Sequence, residues 1–123
     1  MLNSRQIFGR KSESLAVKHL KKQGYKIIEQ NYRTKMGEID IIAKHKGVII
    51  FVEVKARRSD RFGDPKWAVT YKKQRKISMA ALQYLKDTEQ TNTRARFDVV
   101  SINSSGDTSA IELVKNAFEL AYE

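Results

Sequence analysis

The stretch GEIDIIAKHKGVIIFVEVKARR, residues 37–58, decides the fold of this chain. It holds two runs rich in β-branched residues, 38–43 and 48–56, separated by a short polar segment that ends in Gly47. Short runs of this composition are typical of β-strands, and so short a connection predicts an antiparallel hairpin. Both runs also contain charged residues, which a strand buried on both faces rarely carries.

Around this hairpin, apolar periodicity and helix-end signals predict an α/β (α+β) fold with a central mixed sheet flanked by helices. Gly24 ends the first helix, Ser4 is its candidate N-cap and Thr70 is that of the second helix. The order α-β-β-β-α-β-β in 123 residues suits a single domain over 1–123. The other predicted elements are a helix over 4–22, a strand over 25–33, a helix over 70–86, strands over 96–102 and 109–114, and a short helix from residue 116.

Charge is the strongest compositional signal. The formal net charge is +10, and the segment 55–76 alone has nine basic residues against two acidic ones. Such a concentrated excess favours a polyanionic partner, and a solvated basic face is the simpler alternative. The chain has no cysteine, no apolar run long enough for a membrane span and no signal-peptide pattern at its N-terminus. We therefore expect a cytoplasmic protein with no membrane partner.

The charged residues of the hairpin are Asp40 in the first strand and Glu53 and Lys55 in the second. Strand side chains alternate between faces, so Glu53 and Lys55 point the same way. Asp40 lies on the same face as these two residues if the residue numbers of each pair across the hairpin add up to an odd number. The sequence pattern does not determine this register. Two converging carboxylates need a cation, and Mg²⁺ or Mn²⁺ prefers such oxygen ligands. The alternative is an exposed Glu53–Lys55 pair, with Asp40 in a turn or paired with Arg33.

The first helix contains a further acid, Glu13. On the helical wheel it lies between Val17 and Leu20, which belong to the apolar side of the helix. Position alone therefore allows two interpretations: Glu13 marks the rim of the apolar face, or it reaches into a site on the sheet.

Asp40 followed by Glu53-Val54-Lys55 resembles the PD-(D/E)xK signature of the restriction-endonuclease-like nucleases. The wider pattern resembles the YraN-like family, which is grouped with Holliday-junction-resolvase-like members of that superfamily. The resemblance covers nearly the whole chain and implies a restriction-endonuclease-like core and a metal-dependent endonuclease acting on branched or junction DNA. The residues that carry it are Gly9, Glu13, GEIDIIA (37–43), FVEVKARR (51–58), FGDP (62–65) and RFD (96–98).

The resemblance also implies residue roles. Asp40, Glu53 and Glu13 match metal-binding and catalytic acids that hold Mg²⁺ or Mn²⁺, and Lys55 matches the catalytic lysine. The chain departs from the signature at Ile39, where the name-giving proline would stand. It also lacks the Gln-x-x-x-Tyr element of some exonuclease branches, because Ser78 follows Gln74 at that spacing. This departure favours an endonuclease-like arrangement.

The basic segment is predicted to bind the phosphates on either side of the cleaved bond, which positions DNA without reading its sequence. The predicted nucleic-acid-binding residues are Arg57, Arg58, Arg61, Lys66, Lys72, Lys73, Arg75 and Lys76. The alternative function is a catalytically weak or inactive nucleic-acid-binding accessory protein of the same fold. RNA as the substrate and a homodimer, which a two-fold junction would require, both stay open.

Other predictions concern structural residues. Asp98 is expected to pair with Arg96 or another base, the turn residue His45 to be solvated, and Tyr71 and Tyr84 to be packing residues.

Overall fold

The computed structural model describes residues 2–57, 69–105 and 108–121, and it confirms the predicted mixed α/β fold. Its element order is the predicted one, and five strands form one central sheet, consistent with a restriction-endonuclease-like fold. The expected C-terminal helix is wrong, since residues 116–118 continue the last strand. The elements are α1 (Ser4–Lys22), β1 (Lys26–Arg33), β2 (Glu38–His45), β3 (Val48–Arg57), α2 (Tyr71–Asp87), β4 (Ala95–Ser105) and β5 (Thr108–Phe118).

The strands lie in the order β1-β2-β3-β4-β5. All neighbours are antiparallel except β3 and β4, which run parallel and are connected through α2. The predicted β2–β3 hairpin is confirmed, with His45 paired to Val48 across the two-residue turn Lys46–Gly47. Both turn residues have positive φ, 51° and 80°, as a type I′ turn requires. This turn fixes the register of the hairpin.

The two helices cover opposite faces of the sheet. Ala16 and Leu20 of α1 pack in one apolar cluster with Ile50 and other strand residues. The neighbouring strand residue Phe51 belongs to a second cluster, which includes Ile77 and further residues of α2. Consecutive residues of β3 therefore face different helices, which gives three layers with the sheet in the middle.

One of the two predicted helix N-caps is confirmed by the structure. Thr70 caps α2 as predicted, with the Lys73 N–H donating to its hydroxyl at 3.2 Å. The cap of α1 is Asn3, not the expected Ser4, because Asn3 and Gln6 form a reciprocal capping box. Neither helix of the described ranges is long and apolar enough to cross a membrane.

The start of β2 is placed by a close approach between Gly37 and α2. A Cβ atom on Gly37 would collide with the backbone carbonyl of Lys76, so only glycine fits. The preceding turn is closed by the Thr34 N–H, which donates to the Gly37 carbonyl at 2.8 Å. This contact fixes the start of β2 against α2, three residues before the expected metal ligand Asp40.

A buried polar network joins the ends of three strands. Asp98 is fully buried and accepts hydrogen bonds from Arg96 Nε at 3.0 Å, the Tyr25 hydroxyl at 3.1 Å and the Asn116 N–H at 2.9 Å. The predicted Asp98–Arg96 pair is therefore confirmed as structural. His45 is not simply solvated, since its ring stacks on Tyr25 with centroids 4.5 Å apart.

The two tyrosines of α2 differ. Tyr84 is buried and contacts Phe51 edge to face, as expected for a core residue. Tyr71, the first residue of the helix, is 57% exposed and therefore lies outside the core.

Candidate active site

The hairpin opens at the two acids. Its ladder has an odd index sum and ends at the pair Ile41–Val52, one residue short of Asp40 and Glu53. Beyond this point β3 stays paired to β4 as far as Arg57, but β2 and β3 are no longer paired. The two strands therefore separate where the sequence places the two carboxylates.

Asp40 lies in the gap that this separation leaves. Its Oδ2 accepts the Val54 N–H at 2.8 Å, and backbone N–H groups of a strand point along the plane of the sheet. The alternation of side chains between the two faces of the sheet is also interrupted here. Ile39 and Ile41, two residues apart, would share a face in a regular strand, but Ile39 packs in the cluster under α2 and Ile41 in the cluster under α1. Asp40 therefore reaches Glu53 through the gap, and simple alternation of strand side chains does not explain their contact.

Glu53 is the most perturbed acid of the site. Its side chain is 12% exposed, and its Oε2 lies 3.6 Å from the Lys73 ammonium of α2. Burial raises the pKa of Glu53 to about 9, helped by a hydrogen bond to Asp40 and by repulsion from it, and opposed by Lys73. Near neutral pH, the protein alone therefore keeps a proton on this carboxylate pair.

Glu13 approaches Asp40 from the α1 face. Its Oε1 accepts a hydrogen bond from the Asn31 side-chain amide at 2.9 Å. Burial raises the pKa of Glu13, and Asp40 and then Glu38 add to this by repulsion. Asn31 has a φ of 53°, a conformation that asparagine tolerates better than most residues. Glu13 is thus beside Asp40, as the site interpretation expected.

The three acids do not form one compact cluster. Glu13 belongs to the helix on one face, whereas Glu53 is ion-paired to the helix on the other. Over residues 2–57, 69–105 and 108–121, no three acidic, histidine or cysteine side chains are grouped closely enough to hold a metal ion. The structure therefore brings Asp40 together with Glu53 and, separately, with Glu13.

Lys55 follows Glu53 on β3 and is half-buried. It is paired in register with Ser101 of β4, a buried hydroxyl residue. Alternation along β3 places Lys55 on the same side of the sheet as Glu53, which is the arrangement that the sequence predicted for these two residues.

The predicted nucleic-acid-binding residues gather at the start of α2. Lys72, Lys73, Arg75 and Lys76 are exposed there, and the first turn has no acid, so the helix dipole and the side chains are positive together. Arg57 ends β3. Arg58, Arg61 and Lys66 lie outside the described residues, as does the FGDP segment.

Several contacts of the site were not predictable from the sequence pattern. Lys73 contacts Glu53, although its position in a basic run indicated only phosphate binding. Asn31 anchors Glu13 from a strand that is mostly polar and exposed. A cleft of about 510 Å³ on the α1 face is lined by Arg10 and Arg33, and it reaches Asp40. Each of these contacts joins separate elements, so no local pattern reports them.

Comparison with known proteins gives consistent matches. A family model described as "Uncharacterised protein family UPF0102" matches residues 12–102, which include all four predicted catalytic residues. A UPF0102 protein of Desulfosudis oleivorans is 56% identical over 119 residues, covering 97% of this chain and 95% of the relative. UPF0102 proteins of Geobacter metallireducens and Syntrophus aciditrophicus are 54% and 49% identical over 114 residues. These two matches cover 93% of this chain and 93% and 90% of the relatives.

Proposed function

We propose that this chain, which belongs to the family described as uncharacterised protein family UPF0102, the YraN-like family, is a metal-dependent endonuclease. Its reaction is hydrolysis of phosphodiester bonds, with branched or junction DNA as the substrate. The observation that carries the proposal is the carboxylate pair Asp40–Glu53 in the gap between β2 and β3. Two acids in contact and largely buried are costly without a cation, so a cation-binding role explains why the site contains them.

Mg²⁺ or Mn²⁺ fits the donor chemistry of this pair, because both ions prefer carboxylate oxygens. Asp40 and Glu53 would hold the ion, and Glu13 would support it from the α1 face. When bound, such an ion supplies a Lewis acid that polarises a phosphate oxygen and lowers the pKa of water.

The protein groups have separate tasks in this scheme. The Val54 N–H and the Asn31 amide fix the orientation of Asp40 and Glu13. Lys55 provides a positive charge beside the phosphate and stabilises the negative charge that grows on it during attack. Lys73 balances Glu53 when no substrate is present and becomes available to phosphate when the acid pair binds a cation.

The basic start of α2 supports the choice of substrate class. Its lysines and arginine are exposed beside Lys73, which itself contacts the acid pair. Phosphate contacts of this kind bind DNA without regard to sequence. Selectivity would then come from the shape of the substrate, which agrees with branched DNA.

A second function is favoured by a specific observation. Lys73 already offsets the charge of Glu53, and the described residues show no three-ligand metal cluster. A protein of this fold that binds nucleic acid and does not hydrolyse it would use the same basic surface. Metal-dependent cleavage of DNA distinguishes the two candidate functions, because only the nuclease would show it.

The deciding experiment is a cleavage assay with single-stranded, duplex, flapped and four-way DNA in Mg²⁺ or Mn²⁺. Asp40→Asn, Glu53→Gln and Lys55→Ala are tested beside Glu119→Gln, which changes an exposed acid outside the strands. We expect cleavage by the wild type and by Glu119→Gln, and a loss of at least about 100-fold in the other three. Tight DNA binding without cleavage in either metal would instead establish the accessory function.

A further inference from the structure

A cleft on the α1 face ends at the carboxylate site. It lies between α1 and the β1–β2 pair and has a volume of about 510 Å³. Arg10 of α1 and Arg33 of β1 line it, together with Ser12, and Asp40 belongs to the same wall. The cleft is therefore a route into the gap between β2 and β3 from the face opposite to the basic helix α2.

Ser12 adds a polar group to the wall of this cleft. The residue as a whole is only 3% exposed, and it lines the cleft. A serine hydroxyl both donates and accepts hydrogen bonds, so this side chain is suited to contact an oxygen of a molecule bound in the cleft.

The two arginines indicate an anionic ligand. The Arg33 side chain is 75% exposed and keeps only a long contact, 3.5 Å from its Nε to Glu38. Guanidinium groups bind phosphate by paired hydrogen bonds. The cleft also contains Glu13 and Asp40 beside Glu38, so an anionic chain enters favourably only when a cation occupies the carboxylate site.

We propose that this cleft binds an unpaired segment of a DNA strand, adjacent to the bond that is cut at Asp40. This inference rests on the proposed nuclease function and narrows its substrate to DNA with an unpaired strand at the cleavage point. A cleft of this volume falls in the size range of small-molecule pockets, roughly 300–1,000 Å³. A double helix, whose major groove alone is about 12 Å wide, does not fit, so the strand that enters must be separated from its complement.

Gly9 allows the cleft to be blocked without disturbing the fold. It lines the cleft, and a Cβ atom built on it meets nothing within 4 Å. Leucine favours the helical conformation more than glycine does. Gly9→Leu therefore fills the cleft from within α1, while Gly9→Ala adds only one methyl group.

The test measures DNA binding by fluorescence anisotropy in Ca²⁺, a cation that also takes carboxylate ligands. The probes are a blunt duplex and the same duplex with a five-nucleotide flap. We expect Gly9→Leu and Arg33→Ala to weaken flap binding about ten-fold and blunt-duplex binding less than about two-fold. Gly9→Ala should have a smaller effect than Gly9→Leu, and Arg5→Ala, an exposed arginine on α1 outside the cleft, should have none.

The outcomes separate the two proposals. If Gly9→Leu and Arg33→Ala bind the flap as tightly as the wild type, the cleft is not the path of the strand and the nuclease proposal is unaffected. If both variants lose flap and blunt-duplex binding equally, the cleft does not select unpaired strands and the inference is overturned. If the wild type binds neither probe, both proposals fall. Thermal melting checks each variant for folding, and Arg33→Ala, an exposed side chain, carries the test if Gly9→Leu is unfolded.

Discussion

Glu53→Gln is predicted to stabilise the metal-free protein while abolishing its activity. Burial and Asp40 raise the pKa of Glu53 from 4.5 to about 9. Between these two pH values the unfolded chain has an ionised Glu53, but the folded protein keeps the proton. Each pH unit in this window lowers the free energy of unfolding by about 1.4 kcal/mol. The contribution of Glu53 to the free energy of unfolding is therefore most favourable below pH 4.5 and becomes less favourable as the pH rises toward 9.

The magnitude follows from the width of this window. Near pH 7.5, about three pH units above the ordinary pKa of a glutamate, the raised pKa of Glu53 lowers the free energy of unfolding by up to about 4 kcal/mol. Glutamine removes this penalty, because its amide is neutral at every pH and still forms hydrogen bonds. The effect of Lys73 is already contained in this pKa, because Lys73 opposes its rise. The gain therefore corresponds to a Tm increase of up to about 15 °C.

The assay is thermal unfolding followed by circular dichroism, in EDTA, at about pH 4.5, 6 and 7.5. The Tm difference between Glu53→Gln and the wild type should be near zero at the lowest pH and should grow with each step. The matched control is Glu119→Gln, which should leave the Tm unchanged at all three pH values. Mn²⁺ should raise the Tm of the wild type and have little effect on Glu53→Gln.

Two results would refute this reasoning. A Tm of Glu53→Gln equal to or below that of the wild type at pH 7.5 would mean that the Glu53 carboxylate is not penalised in the folded protein. A Tm difference that does not change with pH would mean that the stabilisation has another origin than the proton on the carboxylate pair.

Three other predictions follow from the same structure. Gly37→Ala should lower the free energy of unfolding by about 1–3 kcal/mol in urea titrations, because its Cβ collides with the Lys76 carbonyl; an unchanged midpoint would contradict this contact. Asp98→Ala should cost about 3–5 kcal/mol in the same measurement, since Arg96 loses its buried partner. Arg75→Ala should reduce the slope of log affinity for DNA against log salt by about 1, and an unchanged slope would remove Arg75 from the interface.

The fold was predictable where local patterns and pairing agree. The helix predicted over 4–22 is α1, and the β2–β3 hairpin follows from two β-branched runs and a short turn. The prediction of a C-terminal helix was wrong because a contact with a residue distant in sequence determines the conformation of that segment. Phe118 is paired with Phe97 of β4, and their rings stack with centroids 4.8 Å apart. Such a contact extends a strand whatever the local propensity of its residues.

The candidate site was predictable in its residues but not in its geometry. Asp40 and Glu53 stand out because charges are rare in buried strands. Alternation suggested that they share a face, whereas they meet through the gap where the ladder ends. The ion pair of Lys73 with Glu53 and the amide of Asn31 on Glu13 depend on how helices pack on the sheet. Sequence spacing does not encode such packing.

The connection of the strands has a consequence for the order of folding. The two acids belong to one hairpin closed by a two-residue turn, and closing a short loop costs little conformational entropy. The parallel pairing of β3 with β4 has to wait for the whole crossover through α2. The carboxylate pair is thus assembled by a local step of folding. Lys73, which contacts Glu53 from α2, is added by a slower one.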